Sequence, residues 1–163
     1  MEPKTVGRGS MTMTPETDAA GLMATSIILT LSGETRVADL KPGDRIITRD
    51  SGTAILRGIR KTRVAGRAVR VKAGSLGHTR PDRDVTLPAG QTVLIRDWRA
   101  QAIFGALRAL VPAHRLADGE FVTLKEDATM TLYELDFDTP HVLYVDGLEL
   151  GSHGKVDAAA KAA

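Results

Sequence analysis

Apolar positions along this chain fall into short runs of four to eight residues separated by Gly, Pro, Asp and Ser, with little of the three-to-four spacing of helices. Runs of this kind lie at Ser26 to Leu31, Glu34 to Leu40, Arg45 to Thr48, Ala54 to Ile59, Ala68 to Lys72, Asp84 to Leu87 and Thr92 to Arg96. Three more follow at Glu120 to Leu124, Met130 to Phe137 and His141 to Val145. Alternation is cleanest in Thr131-Leu132-Tyr133-Glu134-Leu135-Asp136-Phe137 and mixed in Arg67 to Lys72, where Arg and Lys interleave with Val. Half-buried strands show this two-residue period, and the Ser-Gly, Pro-Gly and Asp-Gly pairs between them are turn formers. The pattern predicts an all-β, barrel-like or sandwich module. One stretch departs from it. After Trp98, the residues Ala102, Ile103, Ala106, Leu107 and Leu110 recur at helical spacing, predicting a short helix or turn-rich insertion over Arg99 to Leu110 despite Gly105.

Composition narrows the function classes. With 163 residues the chain suits a single domain. Only 4% of residues are aromatic, so the core is expected to be built from Val, Leu, Ile and Ala. Cysteine is absent, which excludes disulfides, thiolate metal ligands and a cysteine nucleophile together. Residues 1 to 20 are Gly-, Ser-, Thr-, Pro- and Met-rich without apolar periodicity and read as a flexible leader; residues 154 to 163 read as a flexible tail. The domain proper is expected at 21–153. No run of eighteen apolar residues occurs and the first residues lack a secretory signal pattern, so a cytoplasmic location is expected, with export through a C-terminal signal left open.

The stretch SGETRVADLKPGDRIITRD, residues 32 to 50, pairs two apolar segments around Lys41-Pro42-Gly43-Asp44. Together with SIILT at 26–30 and HVLYVDGLELGS at 141–152, it resembles the Hint family, the β-rich modules of Hedgehog autoprocessing domains and inteins. The resemblance implies an all-β Hint-type fold of short strands and hairpins with pseudo-two-fold symmetry. It also implies where chemistry should reside. Bacterial members begin with Cys-Phe-x-x-Gly-Thr-x-Ile, then Thr-x-x-Gly and Pro-Gly-Asp, and the Cys or Ser attacks the preceding carbonyl. Setting Thr30, Gly33 and Pro42-Gly43-Asp44 on that pattern puts Gly21 at the nucleophile position. The family's Thr-x-x-His or Ser-Pro-x-His run, whose His protonates the leaving amide nitrogen, falls on Asp84 to Leu94, with Pro88 at the hydroxyl position and Gln91 at the histidine. Gly carries no nucleophile, and Gln transfers no proton near neutral pH. Splicing members close with His-Asn, where this chain has Gly151-Ser152. His141 matches the remaining family histidine and Gly147 the closing turn. Val111 to Gly119 also resembles a family segment, with a plain role as a connection.

These positions imply a degenerate, non-catalytic Hint-like domain that acts as a binding or structural module toward a protein partner, with no cofactor. The rival from the enzyme class is residual self-processing driven by the hydroxyl of Thr25 or Ser26, with His141 as the acid-base group. A small all-β carrier sharing only the hairpin signature is the third reading. His78, His114 and His153 lack metal-ligand spacing, so no metal site is expected. The run RGIRKTRVAGRAVRVK, 57–72, is the densest positive patch, but no aromatic residue sits in it to stack on bases and the formal net charge is only +2. Cations on the solvent face of a hairpin, protecting it from edge-to-edge pairing, explain it more simply. Neither a nucleic acid nor a membrane is expected as partner, and oligomeric state is not legible.

Overall fold

A computed structural model of the protein describes residues 18–77 and 80–152. Among them are twelve strands: β1 (Leu22–Met23), β2 (Ile27–Thr30), β3 (Gly33–Arg36), β4 (Arg45–Thr48), β5 (Gly52–Ile55), β6 (Gly58–Val71), β7 (Val85–Pro88), β8 (Thr92–Ile95), β9 (Ala109–Pro112), β10 (Val122–Asp136), β11 (Val142–Val145) and β12 (Leu148–Gly151). A short helix α1 (Trp98–Phe104) and two 3-10 turns complete them. All pairings are antiparallel. One sheet has the order β1-β10-β6-β7; the other runs β3-β2-β4-β11-β12-β8-β9, with β5 beside β4.

Local chemistry fixes the corners. The Lys41-Pro42-Gly43-Asp44 turn is closed by the Asp44 carboxylate, which accepts from the Lys41 N–H at 2.8 Å, while Gly43 supplies the positive φ. Between β11 and β12 the two turn residues Asp146 and Gly147 have φ of 54° and 79°. Positive φ at both places marks the two-residue turn that best matches strand twist, and it sets the register Val145 to Leu148. The inward faces then meet in one core, in which Ile28, Ile46, Leu56, Leu87, Leu143 and Leu150 are buried to 1% or less. Each such side chain contributes about 1.5–3 kcal/mol by leaving water. Ala68, Met130 and Leu132 form a second, smaller cluster.

Several boundaries differ from the sequence pattern. The run 34–40 stops as a strand at Arg36, because Val37–Asp39 coil into a 3-10 turn that tucks Val37 into the core. The run 54–59 is divided between β5 and β6 by Leu56 and Arg57. The runs 120–124 and 130–137 are joined, from Val122 to Asp136, in a single long strand, β10, interrupted by a register shift between Lys125 and Ala128. Its partner β6 extends far beyond Ala68 to Lys72. The helical expectation over 99–110 holds only to Phe104, where Gly105 in the left-handed region ends α1. Ala109–Pro112 instead pair with β8. No helix among the described residues is long and apolar enough to cross a membrane.

Candidate functional site

Gly21, Gln91 and Gly151 lie 60 to 130 positions apart in sequence and meet at one point. Gln91 follows the Pro88–Gln91 turn, which its own N–H closes on the Pro88 carbonyl at 3.0 Å, and its side chain is 1% exposed. The amide is fully engaged. Its oxygen accepts from the Gly21 N–H at 3.0 Å, and its NH2 donates to the carbonyls of Thr92 at 3.0 Å and Gly151 at 2.8 Å. Both N–H groups of the side chain are thereby spent. The Gln91 backbone carbonyl also accepts from Ala113 N–H at 2.8 Å. One buried side chain thus ties β1 and the end of β12 to β8.

The chain entering this point is equally constrained. Arg67 grips Asp18 through both arms of its guanidinium, and Gly90 N–H donates to the Ala19 carbonyl at 2.9 Å. Gly90 must be glycine, since a Cβ there would lie 2.5 Å from the Asp18 carbonyl oxygen. Gly21 has φ of 140°, and a Cβ on it would stand 3.1 Å from Leu132 Cβ and 3.2 Å from the Tyr133 carbonyl oxygen. A side chain at position 21 is therefore disfavoured by backbone conformation and by contact alike. His114, absent from the sequence-level candidates for this region, sits behind it. Burial, then the nearby Arg67, lowers its pKa, while Asp18 pulls the other way. No spacing in the sequence signals that placement.

Gly21, Gln91, Gly151 and Ser152 line a cleft of about 670 Å³ whose other wall comes from β6 and β10, including Arg60, Tyr133 and Glu134. Thr25 and Ser26 do not reach it. They line a separate hollow with Arg83 and Asp146, and Ser26 is buried at the start of β2.

His141, immediately before β11, forms a second centre. Its Nδ1 lies 2.8 Å from Asp50 Oδ2 and 3.2 Å from Ser51 Oγ, and its Nε2 lies 3.3 Å from Thr139 Oγ1. The other Asp50 oxygen accepts from Val142 N–H at 2.9 Å. Burial pushes the Asp50 carboxyl up, but the Val142 N–H and the His141 ring outweigh it and hold its pKa below the ordinary value. A carboxylate at Nδ1 keeps the proton of the neutral ring there, leaving the Nε2 lone pair toward Thr139. His141 meets Ser152 through its backbone: its N–H donates to Ser152 Oγ at 2.9 Å, and its carbonyl accepts from Ser152 N–H at 2.8 Å. It is not among the residues lining the cleft.

The basic run is largely paired. Arg57 meets Asp138 at 2.9 Å, Arg70 meets Asp84 at 3.0 Å, Arg60 meets Glu134 and Arg67 meets Asp18, while the Lys61 ammonium lies over the Tyr133 ring. Among the described residues no group of three or more His, Cys, Asp or Glu could hold a metal. His78 and His153 lie outside the described residues.

A family profile described as Hint domain matches residues 20–156. No curated protein matches the sequence. Among solved structures, the TvoVMA intein is similar at 12% identity and a TM-score of 0.58, with 82% of this chain and 97% of the other covered. A DnaB intein from Synechocystis sp. is 13% identical with a TM-score of 0.55, over 81% of this chain and 97% of the other. A bacterial intein-like domain from Clostridium thermocellum is 13% identical with a TM-score of 0.54, over the same shares. At these identities the structural likeness speaks to the fold alone.

Proposed function

The chain belongs to the Hint domain family, and from that premise we propose that it is a degenerate member, without self-cleavage, acting as a binding or structural module. The observation carrying the proposal is the direction of the bond between Gln91 and Gly21. In a self-cleaving Hint domain a histidine protonates the nitrogen of the bond before the nucleophile. Here the matching side chain accepts a hydrogen bond from that N–H. An acceptor at an amide N–H supports the planar, unprotonated amide and opposes the step that cleavage requires. The position of the attacking group is held by a glycine whose positive φ and tight surroundings disfavour a side chain, so covalent catalysis has no first step. Thr25 and Ser26 face another hollow and offer no substitute.

A binding role draws support from α1 and the turn after it. Trp98, Ile103 and Leu107 are exposed there, Leu107 to 84%, and exposed apolar groups on a folded domain favour a protein partner. Pairing of the basic run with Asp and Glu speaks against a nucleic-acid partner. The test is intact mass of the purified chain over days with added thiol and with hydroxylamine, which intercept thioester and ester intermediates. The expected result is one full-length species; a fragment ending at Ala20 overturns the proposal.

A further inference from the structure

Away from the cleft, three arginines converge on one buried carboxylate. Glu149 lies in β12 between Leu148 and Leu150, and its side chain is 8% exposed. Arg96, just after β8, approaches it through two nitrogens, Nε to Oε1 at 2.8 Å and Nη2 to Oε2 at 3.4 Å. Arg80, from the loop between β6 and β7, places Nη1 3.3 Å from Oε1. Arg49, at the end of β4, brings Nε to 3.3 Å from Oε2.

One two-armed arginine suffices to compensate a buried carboxylate. The second and third guanidiniums leave the cluster with two positive charges in excess, held close together in a partly desolvated place where repulsion is poorly screened. Their donors outnumber what Glu149 accepts, since each guanidinium offers five N–H groups and a carboxylate about four lone-pair positions. One donor is stranded: Nε of Arg80 is buried without a hydrogen-bond partner, while Nε of Arg49 meets Glu149 Oε2 only as an ion pair at 3.3 Å, without a hydrogen bond. Buried donors in a folded chain are nearly always paired, so Arg80 Nε calls for an acceptor.

We propose that Arg49, Arg80 and Arg96 form an anion-binding site for a tetrahedral dianion of the phosphate type. Several oxygens on one centre match guanidinium forks arriving from three segments, and a charge near −2 neutralises the excess. Arg49 is 28% exposed along its side chain, so the cluster opens to solvent on that side. The site shares no residue with the Gly21–Gln91 seam and stands whether or not the chain cleaves itself.

Thermal unfolding of the full chain, with inorganic phosphate titrated against chloride at constant ionic strength, tests it. Phosphate is expected to raise Tm saturably and beyond chloride, as a ligand of the native state does. Arg49→Gln is expected to weaken the apparent phosphate affinity by roughly tenfold, the loss of a charge-assisted contact. Glu149→Gln, which removes the competing anion and keeps the shape, is expected to tighten it. A parallel arm with a phosphoserine peptide separates a modified protein from the free anion as the source: stabilisation by both assigns the former, by inorganic phosphate alone the latter. No phosphate-specific rise in the parent, or unchanged affinity in folded Arg49→Gln, overturns the proposal.

Discussion

The seam at Gln91 and the corner at His141 show two fates of polar groups on one scaffold. At the seam everything is buried, and an amide that cannot titrate satisfies a backbone N–H and two carbonyls. At the corner a titratable pair, Asp50 and His141, survives beside three hydroxyl groups, with Asp50 partly open to water. Burial explains the difference. A charge arising at the seam would have no solvent, whereas at the corner water and a carboxylate share the load. A buried seam of this kind favours a neutral side chain that fills every hydrogen bond, and Gln91 does so.

Breaking the seam should have the largest effect. Gln91→Leu leaves the Gly21 N–H and the Gly151 carbonyl buried and unpaired, which should cost about 3 kcal/mol and lower Tm by roughly 10 °C. Urea unfolding followed by circular dichroism measures it. Next comes an attempt to build a nucleophile and a proton donor into the seam. Gly21→Cys forces a side chain onto a backbone that disfavours one and against Leu132, at a cost of about 2 kcal/mol. The double variant Gly21→Cys with Gln91→His should remain intact by mass, because the cysteine reaches position 21 only by displacing the geometry cleavage needs. Thiol-induced release at Ala20 in that variant would show that the seam has kept a cleaving shape.

At the corner the expected changes are smaller and depend on pH. Asp50 has a lowered pKa in the folded chain, so its contribution is complete above the ordinary value of 3.8 and is lost as pH falls through the folded one. Asp50→Asn should therefore cost about 1 kcal/mol or less near pH 7, given the exposure of the carboxylate, and the gap to the parent should close in acid. Smallest is the effect of His114. Its folded pKa is lowered, so the unfolded chain binds more protons as pH drops through 6.5, and stability should decline over that window. His114→Gln should flatten the decline, as read from Tm at matched ionic strength.

How much of this was legible depended on whether a residue's neighbours were local. The Pro42-Gly43-Asp44 corner and β4 follow from turn chemistry within a few residues, and the structure has both. Strand β6 was legible only at its two ends, Gly58–Ile59 and Ala68–Val71. Arg60 to Arg63 are exposed in succession, so no buried face imposes alternation on them. Strand β9 was hidden because the apolar residues after Gly105 keep helical spacing with α1, although Leu110 and Val111 pair with β8. Strand β12 was not read from the pattern because Leu148-Glu149-Leu150-Gly151 is only four residues long and its one charged residue, Glu149, is buried rather than on a solvent face. Gly21, Gln91, Gly151 and Ser152 could be singled out by resemblance. That Gln91 joins the first and third by hydrogen bonds could not, since contacts across 60 and 70 positions leave no periodic trace. The arginines around Glu149 were unreadable for the same reason, coming from three separate segments.

Hydrogen exchange at the Gly21 amide probes the seam most directly. Bonded to a buried acceptor and anchored by the Asp18 and Ala19 contacts, that N–H should exchange as slowly as those of the core strands β11 and β12. Exchange at the rate of an unprotected loop would mean that the Ala20–Gly21 bond is free of Gln91, and would contradict the account.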